Sequence, residues 1–358
     1  MARVAGPAAG TEVATGADID LPALALWLAP ALGAARVDIV AAGPLTGGAV
    51  NRNIALDVTV TGGRRAGVHG WVLRTGPPVA SATLGLGRTV EFALLRVAFA
   101  AGVRVPEPIV CSDAGWPGPA FVIADRLPGT GEARRIVRDP ALEAFGPALA
   151  ASLGSELAKI HAIRPPRADL DIPGDPAAPA LAEIARFRAG LDTAGAARPA
   201  LEYALAWLAA NAPAPNAVTL VHGDFRTGNY LVDGGRLTGI LDWELAHWGD
   251  PREDIGWFAA RCWRFGNDAK VAGGLARFSA FLDAYNAQAE TKVAAAEIVY
   301  WEIFAAARWA AATAMQGARG SRLPPGRASL ELALTGLMAP EMEFDALAGI
   351  DAFEKGTR

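Results

Sequence analysis

Lysine is scarce in this chain of 358 residues, and so are cysteine and histidine. Arginine must therefore carry nearly all of the positive charge. The two cysteines, Cys111 and Cys262, form neither a metal-ligand spacing nor a disulfide framework, so a reducing compartment is expected. The histidines show no ligand spacing either, which argues against a metal hydrolase. The lysines are Lys159, Lys270, Lys292 and Lys355.

A long uninterrupted apolar segment is also missing. The apolar stretch at residues 21–35 is short and contains Pro22 and Pro30, and no charged segment precedes it as it would in an export signal. We therefore expect a cytoplasmic protein without a membrane partner. A net charge of −4 predicts no nucleic-acid partner, because binding phosphates requires a basic face.

The composition is that of a globular protein, with 52% hydrophobic and 20% charged residues. Residues 1–16 lack periodicity and predict a flexible N terminus. Short strand patterns and two helix patterns precede residue 127, and helical patterns dominate afterwards, which predicts an α+β fold. The early patterns predict helices at 21–29 and 89–101 and strands at 37–41, 53–61, 68–74 and 120–125. The later patterns predict helices at 142–162, 181–189, 201–211, 254–264, 271–287, 294–315 and 328–337.

The segment at residues 218–243 carries the clearest chemical pattern. His222, Gly223 and Asp224 follow one predicted strand, at 218–221. Asn229 precedes a second predicted strand, at 230–232, and Asp242 lies near the end of a third, at 237–243, so a hairpin of these two strands brings their ends together. Asp224 can then orient a hydroxyl and accept its proton, as phosphoryl transfer requires. Asn229 and Asp242 offer the hard oxygen ligands that Mg²⁺ prefers.

Structural roles are the alternative for these side chains. Asp224 and Asn229 are common turn formers, and Asp242 can simply end a strand. His222 either contacts the loop backbone and the following aspartate or has a purely structural place beside the turn. Glu244 is an acid behind the site, a metal ligand or a solvated charge, and the sequence leaves all three open.

This stretch resembles the catalytic and metal-binding loops of the aminoglycoside phosphotransferase and choline kinase superfamily. The resemblance implies a protein-kinase-like fold of two lobes, a small β-rich N-lobe at 17–127 and a larger, mainly helical C-lobe at 128–358. It implies ATP and Mg²⁺ as cofactors, Asp224 and Asn229 as catalytic residues, and Asn229 and Asp242 as metal ligands. Residues 72–78 and the run at 105–108 resemble a branch that includes modules fused to acyl-CoA dehydrogenases.

Two small residues between predicted strands, Gly47 and Gly48, are candidates for a phosphate cradle. Without bulky side chains, their backbone N–H groups can approach phosphates, although an ordinary hairpin turn uses the same residues.

The resemblance implies further nucleotide-binding residues. Arg74 ends the strand on which a kinase-type fold has its phosphate-clamping lysine, and Glu91 lies on the helix that carries the lysine's partner. Because no lysine precedes Lys159, Arg74 is the implied substitute; a surface ion pair is the alternative for both. Asp125 and Leu127 belong to the implied hinge that binds adenine, although Leu127 can equally be a core residue.

The resemblance predicts an ATP- and Mg-dependent phosphotransferase that moves the γ-phosphate to a hydroxyl of a small-molecule acceptor, as a monomer or a homodimer. Only scattered acids, such as Glu253 and Asp254, occur in the C-terminal half, which disfavours a polycationic aminoglycoside and favours a hydroxylated acyl compound or another metabolite. A kinase-like nucleotide-binding or metabolite-binding protein without turnover is the alternative. A protein kinase is disfavoured because little room for an activation segment follows Asp242. Trp257, Trp263, Trp301 and Trp309 are more typical of a core, although aromatic residues also line ligand pockets.

Overall fold

The computed structural model of the chain describes residues 19–45, 52–76, 86–112, 115–174, 177–195 and 197–357. The predicted flexible N terminus and the predicted phosphate cradle at Gly47 and Gly48 lie outside these residues. By their contacts, the residues form two compact units, one of residues 1–78 and 110–123 and one of residues 79–109 and 124–358. The division groups the helix after residue 88 with the second unit, so the lobe boundary at 127/128 stays a prediction.

The first unit is built on antiparallel strands. The element order begins α1 Leu21–Ala31, β1 Arg36–Pro44, β2 Arg52–Thr61, β3 Gly67–Thr75, α2 Arg88–Ala100, β4 Pro108–Cys111 and β5 Phe121–Asp125. The sheet order is β1-β2-β3-β5-β4, with β1, β2 and β3 antiparallel. Alternate residues of β2, among them Leu56 and Val58, are buried, as the period of a half-buried strand requires. Asp20 caps α1 by accepting the Ala23 N–H at 3.0 Å.

The second unit is mainly helical. Its remaining elements are α3 Ala133–Arg138, α4 Pro140–Glu143, α5 Gly146–His161, α6 Pro179–Ala194, α7 Pro199–Ala210, β6 Thr219–Val221, β7 Tyr230–Asp233, β8 Arg236–Ile240, β9 His247–Gly249, α8 Arg252–Ala259, α9 Phe278–Gln288, α10 Ile298–Arg322, α11 Arg327–Gly336 and α12 Ala339–Glu354. The long, alanine-rich α10 contacts α6, α7, α8, α11 and α12 and is the centre of the core. Within the described part of the chain, no helix joins enough length to enough apolar character for a bilayer crossing.

Several predicted boundaries are wrong for local backbone reasons. The helix predicted at 142–162 is two helices, α4 and α5, because Pro147 occupies the first turn of a new helix and cannot lie inside one. The helix predicted at 271–287 begins only at Phe278, because Gly273 and Gly274 have positive φ angles of 56° and 79°. The strand predicted at 237–243 ends at Ile240. The sequence reasoning also missed α3, α12, β4 and β9.

Candidate active site

Two short β-ladders of the second unit position the predicted chemical loop. β6 pairs with β9, and the hairpin of β7 and β8 pairs Tyr230 with Ile240. Asn229 therefore lies directly before the hairpin and Asp242 two residues after it. The Asn229 carbonyl accepts the Leu241 N–H at 2.8 Å, which closes the hairpin at this end. The predicted hairpin is confirmed, and it pairs Asn229 with Leu241, the residue before Asp242.

Gly223 turns the chain sharply between β6 and Asp224. Its φ angle is +78°, and a Cβ atom at this position would lie 2.1 Å from the Leu245 carbonyl oxygen. A left-handed backbone with this close approach admits only glycine. As a result, the backbone N–H groups of His222 and Gly223 both point to the Asp254 carboxylate, at 2.7 Å and 3.0 Å.

Asp254, at the start of α8, is completely buried behind the loop. Its Oδ2 atom also lies 3.1 Å from His161 Nε2, and His161 Nδ1 lies 2.9 Å from the Tyr285 hydroxyl. Burial alone raises the pKa of Asp254, but the hydrogen bond from His161 and the His222 side-chain and backbone interactions outweigh it and leave the pKa below its ordinary value. An ionised carboxylate therefore holds the loop from within the protein.

Three donors converge on the Asp224 carboxylate. Trp257 Nε1 donates to Oδ1 at 2.8 Å, and Arg226 Nε donates to both oxygens at 3.1 Å and 3.2 Å. Asn229 Nδ2 donates to Oδ2 at 2.5 Å and to the Asp224 carbonyl at 3.0 Å. The carboxylate is thus fixed at both oxygens, while 15% of the side chain remains exposed.

The ligand atoms of the predicted metal site follow from the same contacts. The Asn229 amide nitrogen is used twice on Asp224, so its amide oxygen is the atom left for a cation. Asp242 adopts a left-handed backbone with φ +68°, which is uncommon for a residue other than glycine but is tolerated by Asp and Asn. One amide oxygen and one carboxylate, from the two strands at the same end of the hairpin, form a donor set whose chemistry fits Mg²⁺, which takes few protein ligands and retains water and phosphate oxygens.

His222 links the backbones on either side of the site. Its Nδ1 atom accepts the Asp224 N–H at 3.2 Å, and its Nε2 atom lies 3.0 Å from the Leu241 carbonyl oxygen. A neutral ring with the proton on Nε2 satisfies both contacts. Burial lowers the pKa of His222 and outweighs the acidic groups nearby, which favours this neutral form. Of the two predicted possibilities for His222, the structure gives the contact with the loop backbone.

A cluster of tryptophans surrounds the donors to Asp224. Trp257 and Trp263 lie 5.1 Å apart between ring centroids, and Trp309 contacts both. Trp257 is nearly buried, as predicted for a core residue, but it also donates to the candidate base. The Arg226 guanidinium lies over the Trp263 ring, with 4.4 Å between the guanidinium carbon and the ring centroid.

Arg308 of α10 also supports the loop, and it contacts the helix α8 that carries Asp254. It donates to the Gly223 carbonyl and, at 2.8 Å, to Glu253. Its guanidinium carbon lies 4.5 Å from the Trp257 ring centroid. This buried side chain therefore contacts both the loop and a donor to Asp224. Sequence reasoning did not identify Arg226, Asp254 or Arg308, and only Arg226 has a local signal, since it lies within the predicted loop.

A buried ionic cluster continues behind Arg308. Glu183, His247 and Glu253 place one ligand atom each within 4.8 Å of one another, a grouping that sequence spacing did not suggest. Arg186 binds both oxygens of Glu183, Arg308 binds Glu253, and His247 Nε2 lies 3.2 Å from Glu253. The carboxylates are thus already paired.

His247 lies between the two glutamates of this cluster, and its surroundings favour the protonated ring. Burial lowers the pKa of His247, but the Glu253 and Glu183 charges outweigh it and raise the pKa to about 9. Its Nδ1 atom lies 2.9 Å from the Leu245 carbonyl, where it can only donate. With both carboxylates paired to arginines and a charged His247 between them, the cluster forms an ionic network that supports Arg308.

The predicted nucleotide-binding residues are distributed over both units. Arg74 lies on β3 of the first unit, paired in register with Asn53. Glu91 is buried on α2 of the second unit, where Arg88 donates to it at 2.5 Å. Their mutual ion pair stays a prediction, as do their roles.

The other nucleotide-side candidates lie near the hairpin. The Asp125 N–H donates to the Glu107 carbonyl at 2.9 Å, and the Leu127 side chain packs closely against Gly239 of β8. The Glu244 carbonyl accepts the Leu86 N–H at 2.9 Å, and its side-chain role stays open.

Two cavities lie near the site. One of about 80 Å³ has Asp224, Arg226, Trp257 and Arg308 in its wall. A larger one of about 250 Å³ lies beyond Cys262 and contains none of the predicted site residues. The smaller cavity is the candidate acceptor site, because only it includes Asp224.

A family model decides the class of the protein. The model of the phosphotransferase enzyme family matches residues 42–296, which is most of the chain. The chain belongs to this family. Membership confirms the predicted superfamily and the predicted class of enzyme, a phosphotransferase.

Curated relatives match only part of the phosphotransferase. Acyl-CoA dehydrogenase family member 10 of Mus musculus is 29% identical over 173 residues, 46% of this chain and 16% of that protein. Member 11 of Pongo abelii is 29% identical over 202 residues, 54% of this chain and 25% of that protein. The matched region is thus a quarter or less of each relative's length. These relatives confirm the predicted branch.

Solved structures share the fold. A Ralstonia eutropha JMP134 protein regarded as an aminoglycoside phosphotransferase has a TM-score of 0.69 at 19% identity, over 92% of this chain and 98% of that chain. Spectinomycin phosphotransferase APH(9)-Ia, solved with ADP and spectinomycin, has a TM-score of 0.58 at 16% identity, over 91% and 98%. These likenesses confirm the kinase-like fold of the phosphotransferase, with a small antiparallel sheet and a mainly helical C-terminal part.

The hydrogen bond from Trp257 to Asp224 predicts a specific effect of Trp257→Phe. The substitution keeps most of the aromatic packing and removes one donor to a carboxylate, so kcat should fall about tenfold or more, with ATP affinity unchanged. Steady-state kinetics and calorimetry with ATP measure the two quantities. Trp301→Phe is the matched control, because its buried indole nitrogen has no hydrogen-bond partner among the described residues. Equal effects of both substitutions would assign Trp257 to packing alone.

The buried cation at His247 predicts a loss of stability at alkaline pH. A folded-state pKa of about 9 against an ordinary 6.5 stabilises the fold fully below pH 6.5, and the stabilisation is lost as the pH rises through about 9. The free energy of unfolding, from denaturant titrations at pH 6 and pH 9.5, should therefore fall by on the order of 3 kcal/mol at most. His247→Gln should flatten this dependence, and the control His69→Gln in the first unit should keep it. A dependence that survives His247→Gln contradicts the assignment.

Proposed function

We propose that this phosphotransferase transfers the γ-phosphoryl group of ATP to a hydroxyl of a small molecule, with Asp224 as the group that orients the hydroxyl. The observation that carries the proposal is the convergence of Trp257, Arg226 and Asn229 on the Asp224 carboxylate at the wall of a cavity. A carboxylate has about four acceptor positions. Three N–H groups share these positions, because the Arg226 N–H is divided between both oxygens, and 15% of the side chain stays exposed to an acceptor hydroxyl.

The proposed reaction is a displacement at the γ-phosphorus of ATP. The acceptor oxygen forms a bond to the γ-phosphorus while the bond from that phosphorus to the β,γ-bridging oxygen breaks, and ADP leaves with this oxygen. The hydroxyl proton passes to Asp224 and then to solvent. Because the transition state needs little covalent help, fixing the hydroxyl and excluding misaligned approaches are the main contributions of the protein side chains.

The amide oxygen of Asn229 and the carboxylate of Asp242 would hold Mg²⁺. When bound, the ion neutralises charge on the phosphate oxygens. The Asn229 amide nitrogen donates to Asp224, and its amide oxygen is the proposed metal ligand. One side chain would therefore contact both the candidate base and the metal. Solved structures with this fold contain ADP, AMP-PNP or GDP, which supports the proposal that this chain binds a nucleotide.

The acceptor is proposed to be a hydroxylated acyl compound or another metabolite. The similarity to acyl-CoA dehydrogenase family members supports this class. The smaller cavity has one acid, Asp224, in its wall, whereas a polycationic antibiotic calls for several. Arg74 in place of the lysine implied by the family favours one competing function, binding of a nucleotide without turnover.

Asp224→Asn tests the proposed base. The amide keeps the shape of the side chain but cannot accept the proton, so kcat should fall roughly 10²–10⁴-fold while ATP affinity changes little. Release of ADP, measured over a panel of hydroxylated metabolites, identifies an acceptor and gives the rate. Asp233→Asn at the exposed end of β7 is the control and should keep the wild-type rate. A wild-type rate in Asp224→Asn removes this residue from the base role, and tight ATP binding without release from any acceptor favours the non-catalytic alternative.

Asp242→Asn tests the metal assignment without adding backbone strain, because Asn also tolerates the left-handed conformation of this position. Loss of a charged ligand should weaken binding of the Mg–ATP complex by roughly 10–100-fold or more, since even outer partners of metal ligands have effects of that size. ATP binding in the presence of a chelator should change little. Calorimetry with and without Mg²⁺ separates the two, and equal Mg–ATP affinity in the variant and the wild type would reject Asp242 as a ligand.

A further inference from the structure

The wall of the cavity at Asp224 carries more positive than negative side chains. Three guanidinium groups, those of Arg186, Arg226 and Arg308, lie in its wall with a single acid, Asp224. Arg308 is fully engaged and buried. Arg186 and Arg226 remain partly exposed, with 28% and 24% of their side chains accessible.

Arg186 has a fixed orientation and one nitrogen to spare. Its Nε and Nη2 atoms bind the buried Glu183, and its guanidinium carbon lies 5.3 Å from the centroid of the Phe187 ring. Nη1 makes no hydrogen bond to any residue that the structure describes. A guanidinium held in this way loses little freedom when it binds a further anion, which favours binding.

The acids behind the wall do not cancel its charge. Glu183 and Glu253 carry two negative charges, while Arg186, Arg308 and the protonated His247 carry three positive ones. The difference of three and two leaves a net charge of +1. Since Arg226 is paired with Asp224, this excess is available to a ligand that enters the cavity.

The rest of the wall is apolar. Phe187, Trp309 and Met315 line the cavity together with the carbon atoms of Trp257. Such a surface suits a hydrocarbon chain rather than a polyhydroxylated ring, whose hydroxyls would lose their hydrogen bonds to water. A volume of about 80 Å³ admits several non-hydrogen atoms, since about 10–15 Å³ is enough for one water.

We infer that the acceptor is a hydroxy acid with a free carboxylate, bound with its hydroxyl at Asp224, its carboxylate at Arg186 and its hydrocarbon part against Phe187, Trp309 and Met315. The place of the hydroxyl at Asp224 rests on the proposed function. The binding of the carboxylate at Arg186 is independent of that function. The carboxylate takes no part in the bond changes at phosphorus. A polycationic acceptor is excluded by the same charge, and a thioester of the acid lacks the negative charge that Arg186 binds.

Binding without nucleotide tests the inference directly. The probes are 3-hydroxybutyrate and 3-hydroxyhexanoate, each compared with its neutral amide, and titrations follow the quenching of tryptophan fluorescence or the heat of binding. The acids should bind about tenfold or more tightly than the amides, as expected for a hydrogen bond between charged groups. Arg186→Gln should reduce this ratio to near one, and Arg186→Lys should leave an intermediate ratio, because lysine keeps the charge and loses the planar fork.

Arg188→Gln is the matched control. Arg188 lies on the same helix and is paired with Glu202, but it does not line the cavity, so the ratio should stay at its wild-type value. Thermal unfolding of all three variants shows whether each is folded. The inference is overturned if no acid binds at millimolar concentration, if the amides bind as tightly as the acids, or if both glutamine variants lower the ratio equally.

Failure of the inference and failure of the proposed function can be told apart. If a neutral alcohol supports ADP release while the hydroxy acids neither bind nor react, the phosphotransfer proposal stands and the hydroxy-acid inference is overturned. If the acids bind in an Arg186-dependent way and no acceptor yields ADP, the ligand inference stands and the phosphotransfer proposal fails.

Discussion

The geometry of the candidate site depends on one buried interaction, the acceptance of two consecutive backbone N–H groups by Asp254. These groups point the same way only because Gly223 has a left-handed backbone, and such a pair forms a concave donor site for an anion. Burying a carboxylate is costly unless its oxygens are satisfied. Here the two N–H groups and His161 satisfy them, and α8, which carries Asp254, fixes the loop from behind while Asp224 remains at the cavity wall.

Two side chains, His222 and Asn229, join the loop of Asp224 to the hairpin that precedes Asp242. His222 joins the backbone of Asp224 to that of Leu241, the residue before Asp242, so the candidate base and the candidate metal ligand are connected through one ring. Asn229 adds a second connection by donating to Asp224 while its carbonyl closes the hairpin. Displacement of either loop would therefore disturb the other, which is the coupling that a reaction between a hydroxyl and a metal-bound triphosphate requires.

Site residues could be predicted from the sequence where they lie close together along the chain. The residues from His222 to Asp242 could be predicted as one site because a short loop and a hairpin bring them together at fixed spacing. Asp254 and Trp257 of α8 and Arg308 of α10 could not, because they lie in helices outside the loop and hairpin and their patterns resemble ordinary core positions. The fold class followed from strand and helix periodicity, whereas the breaks at Pro147 and at Gly273 and Gly274 depended on backbone conformations that a periodic pattern does not register.

Charge explains why so many donors surround one carboxylate. A site for phosphoryl transfer must bring an anionic triphosphate near its own negative base, and the repulsion between them rises as water is excluded. Arg226 donates to Asp224 with a charged guanidinium and Trp257 with its indole N–H, and the Arg308 guanidinium lies over the Trp257 ring. His247 and its two glutamates keep Arg308 buried at little cost in unpaired charge. The ionic network in the core of the second unit therefore supports Arg308, and Arg308 in turn contacts the Gly223 carbonyl and the Trp257 ring, which border the partly exposed Asp224 carboxylate.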